Sequence, residues 1–163
     1  MPTFHYNKQL LIAGLIFTLH NTEEAFGFWQ FRFPEGLLIR TPEAGEMITA
    51  VVLITLLAWI AIVWVIRKGG FFSKRFLLTT LAAVFLINAF IPHILGAIYL
   101  GSYFPGVVTA VLLYLPYVYW MLPGIYNEYD SRKSFFIAFV QGICISLFFV
   151  LVTQLAGFLI YNV

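Results

Sequence analysis

His20-Asn21-Thr22-Glu23-Glu24 puts an imidazole and two carboxylates into a stretch that is otherwise apolar. On a helix with ~100° per residue, Glu23 and Glu24 fall about 60° to one side and about 40° to the other side of His20, so all three share one stripe. Nitrogen and oxygen donors so placed can hold a hard or borderline divalent cation. They can equally serve as an acid–base pair, one carboxyl giving a proton and the other taking it. A second pair, Asn88 and His93, lies in a later apolar run with Pro92 between them. Those two positions are about 140° apart on a regular helix and face together only if the helix bends. A proline inside a helix removes one backbone hydrogen bond and clashes with the preceding turn, which supplies such a bend. The plainer alternatives are a polar helix end at the membrane boundary for the first cluster and an interhelical hydrogen bond for His93. A charge at the centre of a membrane helix costs about 2.5–3.5 kcal/mol on insertion scales, which favours a functional reading wherever the run spans.

The elements that must carry these residues are helices in lipid. The chain has 163 residues, 62% hydrophobic and only 10% charged, where a soluble domain carries about 25% charged residues. So much apolar surface cannot be hidden inside a water-soluble fold of this size. A net charge of +2 and the absence of an Arg/Lys tract interleaved with aromatics argue against nucleic acid as a partner. The lone Cys144 excludes an intrachain disulfide and a Cys-based zinc site. Standing in an apolar run, it reads as an inert core residue. The sequence has no nucleotide-binding loop, HExxH motif, serine nucleophile elbow or haem-attachment signature.

Apolar runs at 47–66, 76–100, 107–122 and 135–161 reach or approach the ~20 residues that a helix needs to cross a bilayer. The first run, 10–19, is too short alone. A full first helix has to continue through His20, Glu23 and Glu24 to the aromatics Phe26, Phe28 and Trp29; a re-entrant or broken segment is the alternative. Lys8 precedes this run, but no small-residue cleavage site follows it, so it is not read as a signal peptide. The expected fold is all-α, a single domain over residues 1–163 with about five transmembrane helices. Lys8, Arg67, Lys68, Lys74, Arg75, Arg132 and Lys133 then share one side, and only Arg32 and Arg40 lie on the other. By the positive-inside rule the N-terminus is inside and the C-terminus outside.

That topology aligns the two polar clusters in depth. From Lys8, His20 lies ~18 Å and Glu23 and Glu24 ~22–24 Å along the first helix; from Arg75, Asn88 lies ~20 Å and His93 ~27 Å along the third. One composite site in the outer half of the membrane is therefore expected. Glu46 and Gln154 are further candidates, the first equally readable as a solvated charge beside Glu43 and Arg40, the second as an interhelical hydrogen bond. Tyr114, Tyr117 and Tyr119 read as packing or interface residues. Gly142 and Ser146 form a small-residue pair that serves packing within the chain or in a homo-oligomer.

The run His20-Asn21-Thr22-Glu23-Glu24 resembles the His-x-x-Glu-Glu signature of the HXXEE-domain family. Asn88-Ala89-Phe90-Ile91-Pro92-His93 resembles that family's second motif, an Asn followed by a His. Tyr103-Phe104-Pro105-Gly106-Val107-Val108-Thr109 resembles its third, an aromatic-x-Pro-Gly turn leading to a Thr. The three occur in order from the first helix to the fourth; Pro92 directly before the His departs from the pattern. The resemblance implies a small multi-pass protein of a prokaryotic inner or plasma membrane and singles out His20, Glu23, Glu24, Asn88 and His93, without supplying a reaction.

The leading expectation is a membrane-embedded enzyme for a lipid or isoprenoid-like substrate. His20, Glu23, Glu24 and His93 would bind a divalent metal (zinc, iron or manganese), Asn88 would orient His93 or the substrate, and Glu23 or Glu24 would accept a proton from an activated water. The alternatives are a metal-free acid–base isomerase or cyclase, a small transporter or ion-binding protein, and an accessory subunit whose polar cluster locks helices together.

Overall fold

The structure, a computed structural model, describes residues 5–32 and 42–162. Arg40, assigned to an outside loop above, lies outside the described residues. Five helical units follow one another, and the described residues contain no strand. Helix α1 is Tyr6–Gln30 and α2 is Ala44–Lys68. Helix α3 starts as Phe71–Asn88, widens at Ala89–Ile94 and resumes as Leu95–Leu100. Helix α4 is Val107–Tyr126 and α5 is Arg132–Tyr161.

Helices α2 to α5 are each long and apolar enough to cross a membrane. Helix α1 has 25 residues, which at ~1.5 Å per residue reaches about 37 Å. It continues through His20, Glu23 and Glu24 without a break, so the first segment is one continuous helix rather than a broken one. Those same polar residues are why its apolar character is weaker than that of the other four.

Local chemistry sets several helix ends. Ser131 caps α5, its hydroxyl accepting the Ser134 N–H at 3.1 Å. Arg67 and Lys68 occupy the last turn of α2, where positive charge complements the unsatisfied carbonyls. In α3, Ile91 leaves helical geometry with φ −124° and ψ 112°, directly before Pro92. Proline disfavours helical geometry in the residue before it and cannot donate to the preceding turn.

The packing has two parts. On one side, α1, α3 and α4 share a core that includes Leu10, Phe17, Leu78, Phe85, Tyr114 and Ile125. On the other, α2 packs against both α1 and α5, and α3 also packs against both, while α2 and α3 meet only sparingly. Four helices thus pack in the cyclic order α1–α2–α5–α3, with a partly open cavity, here called the lumen, between them.

Small residues tighten this packing. A Cβ on Gly142 would lie 2.8 Å from the Thr80 Cα, and one on Gly157 would lie 2.5 Å from the Glu46 carbonyl oxygen. Gly142 therefore serves α3–α5 packing within the chain. Cys144 corrects the expectation of a core residue, because it is exposed on α5. An apolar run in a lipid-facing helix carries no inside–outside contrast, so an apolar neighbourhood in sequence does not imply burial.

Candidate metal centre

Helix α1 supplies His20, Glu23 and Glu24, and α3 supplies Asn88 at the end of its first regular part and His93 within the widened stretch. The break at Ile91 offsets the ~140° that would separate Asn88 from His93 on a regular helix. Both histidines are fully buried, with ring centroids 4.6 Å apart. The buried Tyr114 ring packs on His20 at 4.2 Å and stacks on Phe85 at 4.1 Å, closing the inner side.

His20, Glu24 and His93 each place one ligand atom within 4.8 Å of the others. The His93 Nε2 lies 3.4 Å from one Glu24 oxygen, and the His20 Nε2 lies 3.9 Å from the other. Ligand atoms around a tetrahedral zinc are roughly 3.3 Å apart, given bond lengths near 2.0–2.1 Å. The trio is within a small side-chain adjustment of that spacing.

Glu23 is employed differently. One of its oxygens accepts the Tyr103 hydroxyl at 3.0 Å and the Val108 N–H at 3.1 Å; the other accepts the Thr109 N–H at 2.7 Å and the Thr109 hydroxyl at 2.5 Å. Val108 and Thr109 lie in the first turn of α4, whose N–H groups have no partner within their own helix. Glu23 therefore caps α4 from another helix, where the positive end of the helix dipole favours a carboxylate. Partial burial and the bond to Glu23 push the Tyr103 phenol up to about 12, so its O–H remains a donor at physiological pH.

These bonds fix which nitrogens carry protons. The Thr109 hydroxyl hydrogen has two acceptors in reach, the Glu23 carboxylate at 2.5 Å and the Gly106 carbonyl at 3.3 Å, and either one leaves the hydroxyl oxygen to accept from His20. The Thr109 oxygen, 2.9 Å from the His20 Nδ1, must then accept from that ring. His20 carries its proton on Nδ1 and presents a lone pair at Nε2. His93 reaches the same state by another route: its Nδ1 lies 2.7 Å from the Pro105 carbonyl oxygen, which can only accept. Its Nε2 is buried without a hydrogen-bond partner.

Two imidazole nitrogens and a carboxylate thus converge: the His20 Nε2 accepts the Asn88 amide hydrogen, the His93 Nε2 has no partner, and neither ring gives Glu24 a hydrogen. Acceptors crowded in this way need a cation, or a proton on Glu24. The donor set fits a divalent metal, and the backbone carbonyl and hydroxyl behind the two rings are the outer partners that metal-bound histidines usually have. Asn88 Nδ2 lies 3.1 Å from the His20 Nε2, so Asn88 orients His20 rather than His93, and would have to turn aside if a metal took that lone pair.

Gly106 makes the close approach possible. Its φ of +86° suits glycine, and a Cβ there would sit 2.6 Å from the His93 ring and 2.9 Å from the Glu24 Cγ.

Of the other candidates, Glu46 is buried away from the trio and accepts Asn162 Nδ2 at 2.7 Å. Gln154 lines the lumen. Tyr114 packs in the core, Tyr117 donates to the Gln9 carbonyl at 2.8 Å, and Tyr119 is exposed. Sequence reasoning gave no chemistry to Tyr103, Pro105, Gly106 or Thr109. The available signal was a Pro-Gly turn opening a helix, followed three residues later by a hydroxyl.

A family model described as "Protein of unknown function with HXXEE motif" matches residues 11–121. The chain is also similar to the uncharacterized protein YrkK of Bacillus subtilis (strain 168), at 26% identity over 99 residues. That match covers 61% of this chain and 63% of the relative, so it spans less than two thirds of the relative's length. No solved structure matches. The family match takes in more than half of the chain, including His20, Glu23, Glu24, Asn88, His93 and Thr109, and the chain belongs to the HXXEE family.

Proposed function

We propose that this protein is a membrane-embedded, metal-dependent enzyme acting on a lipid or isoprenoid-like substrate, oriented with its N-terminus inside a prokaryotic inner or plasma membrane. The carrying observation is the convergence of the His20 and His93 Nε2 lone pairs on Glu24, with each Nδ1 proton committed to an acceptor behind the ring. His20, Glu24 and His93 would hold the metal. When bound, a divalent ion supplies Lewis acidity and lowers the pKa of water at neutral pH. Glu23 keeps Thr109 and the start of α4 in place and so holds His20 in its tautomer. Asn88 lines the lumen together with Glu24, where it orients His20 and can meet a substrate's polar group.

The same crowding supports a second reading, in which a proton on Glu24 replaces the metal and the site performs acid–base isomerisation or cyclisation. Elemental analysis of detergent-purified protein separates the two. The metal reading expects a near-stoichiometric divalent ion, lost in both His20→Ala and His93→Ala. Wild type without metal after divalent reconstitution, together with a carboxylic-acid infrared band that vanishes in Glu24→Gln, would replace it with the acid–base reading.

A further inference from the structure

Helix α5 is held at two places. In its first half Gly142 packs against the Thr80 backbone of α3, and near its end Gly157 packs against Glu46 and Ala50 of α2. It therefore crosses the bundle obliquely, leaning on α3 at one end and on α2 at the other. Its packing on α3 lies within Phe71–Asn88. Beyond Asn88, the widened stretch Ala89–Ile94 and the final Leu95–Leu100 have no substantial packing on α5. Among the described residues, a gap is thus left between α3 and α5 at the end of the bundle that holds His20, Glu24 and His93.

The gap leads into the lumen. Pro92 is exposed and lines the lumen at the same time, and Gln154 lines it from α5. Phe90, Ile91 and Leu95 beside Pro92 are exposed apolar side chains on a helix fit to cross a membrane. What lies outside the gap is therefore hydrocarbon rather than water. The lumen has a volume of about 780 Å³, within the roughly 300–1,000 Å³ of small-molecule sites. Along α3 it runs from Pro92 to Phe76, about 24 Å at 1.5 Å per residue. Its polar side chains gather near the gap, and away from it the walls are apolar except for the Thr80 and Ser146 hydroxyls. Ser146 spends its hydrogen within its own helix, 2.8 Å from the Gly142 carbonyl oxygen. Water needs two to four polar partners to stay in such a space, and these walls do not supply them. A long apolar space that opens sideways into a bilayer is filled by what the bilayer is made of.

We propose that the gap is a lateral portal and that the lumen takes one hydrocarbon chain of a lipid from the surrounding bilayer, entering between Pro92 and Gln154 with its free end towards Phe76. The attached end of the chain enters last, so it comes to rest at the portal beside Asn88 and Glu24. The trio then meets the junction of chain and headgroup and not the middle of the chain. This deepens the lipid-processing reading by assigning which part of the lipid is presented, and rests on that reading only for the lipid's being a substrate.

The test is photolabelling of the full chain in phosphatidylcholine nanodiscs, with chelator present and a small fraction of the lipid carrying a diazirine at the end of one chain. Peptide mass spectrometry maps the labelled residues. Phe17 and Leu81 line the lumen and are only 6% exposed, and they should be labelled comparably to the lipid-facing Leu147. Ala58→Trp, which fills the lumen, and Gln154→Trp, which narrows the portal, should each remove most labelling at Phe17 and Leu81 and leave that at Leu147. Thermal unfolding checks that both variants are folded; one that is not is replaced by Val84→Phe or Gln154→Phe. Labels confined to outer-face residues in wild type overturn the proposal. So does labelling of the lumen wall that persists in either folded variant, or that comes from diazirine-bearing hexadecanoic acid and not from the phospholipid. Because chelated protein is used, chain uptake can stand while the metal reading falls, and retained metal without labelling of the lumen wall would show the reverse.

Discussion

The two carboxylates of α1 are neighbours in sequence and belong to different regions of the molecule. Towards α4, Glu23 is surrounded by donors: two backbone N–H groups and two hydroxyls satisfy it. Towards the lumen, Glu24 faces two imidazole nitrogens that offer it no hydrogen. One region is saturated and the other is left short of positive charge. A buried carboxylate that has all its hydrogen bonds is part of the architecture, whereas one held among acceptors is prepared for a cation, a proton or a substrate hydroxyl.

Substitutions can break or sharpen this contrast. The largest effect is expected at the unsaturated side. Glu24→Ala should abolish metal retention, measured by elemental analysis, while leaving the thermal unfolding temperature nearly unchanged or raising it. A sharp fall in stability without any bound ligand would instead mark the trio as a structural lock. On the saturated side, Thr109→Val deprives the His20 Nδ1–H of its acceptor, and a 10–100-fold loss of metal affinity is expected, as is typical of groups behind a ligand. Thr109→Ser should restore it. Nitrogen-15 NMR of histidine-labelled, metal-free protein reads the same bond directly. His20 and His93 should both carry the proton on Nδ1 in wild type, and only His20 should change in Thr109→Val. Wild-type His20 protonated on Nε2 would remove the basis for the relay through Thr109. Gly106→Ala should cost roughly 1–3 kcal/mol, because it forces a side chain into positive φ against His93, and should lower stability and metal affinity together. The smallest effect is expected for Tyr103→Phe, which removes one of four donors to Glu23 at a cost of about 1 kcal/mol in unfolding free energy.

The legible and illegible parts of the site follow the same division. Four of the five helices were readable because runs of 16 or more apolar residues have few other uses, and the first only by carrying a ten-residue run on through His20, Glu23 and Glu24. The grouping of His20, Glu24, Asn88 and His93 was readable because an ionisable group in such a run needs a partner, and depth along two parallel helices narrowed the choice. The bend at Pro92 was readable from the chemistry of proline alone. The separate fates of Glu23 and Glu24 were not. Placing both on one stripe allowed a joint metal role, and only the rotation of α1 against the start of α4 assigns Glu23 to the Val108 and Thr109 N–H groups. Backbone partners such as the Pro105 carbonyl leave no mark on residue identity. The lumen was equally hidden, since it depends on which helices are adjacent, and Cys144 was misjudged because lipid-facing and buried positions share one vocabulary.

Helix α5 contributes none of the metal-centre residues, yet it walls the lumen with Ile145, Phe149 and Thr153. It also lies beyond the residues that the family model matches. Under the proposed reading, reactivity and selectivity are therefore written on different helices. Exchanging Phe149 for a smaller or larger residue would re-tailor the length or branching of the chain accepted while the reacting end stays untouched. The last helix is thus the part of this protein most open to adaptation, by evolution or by design.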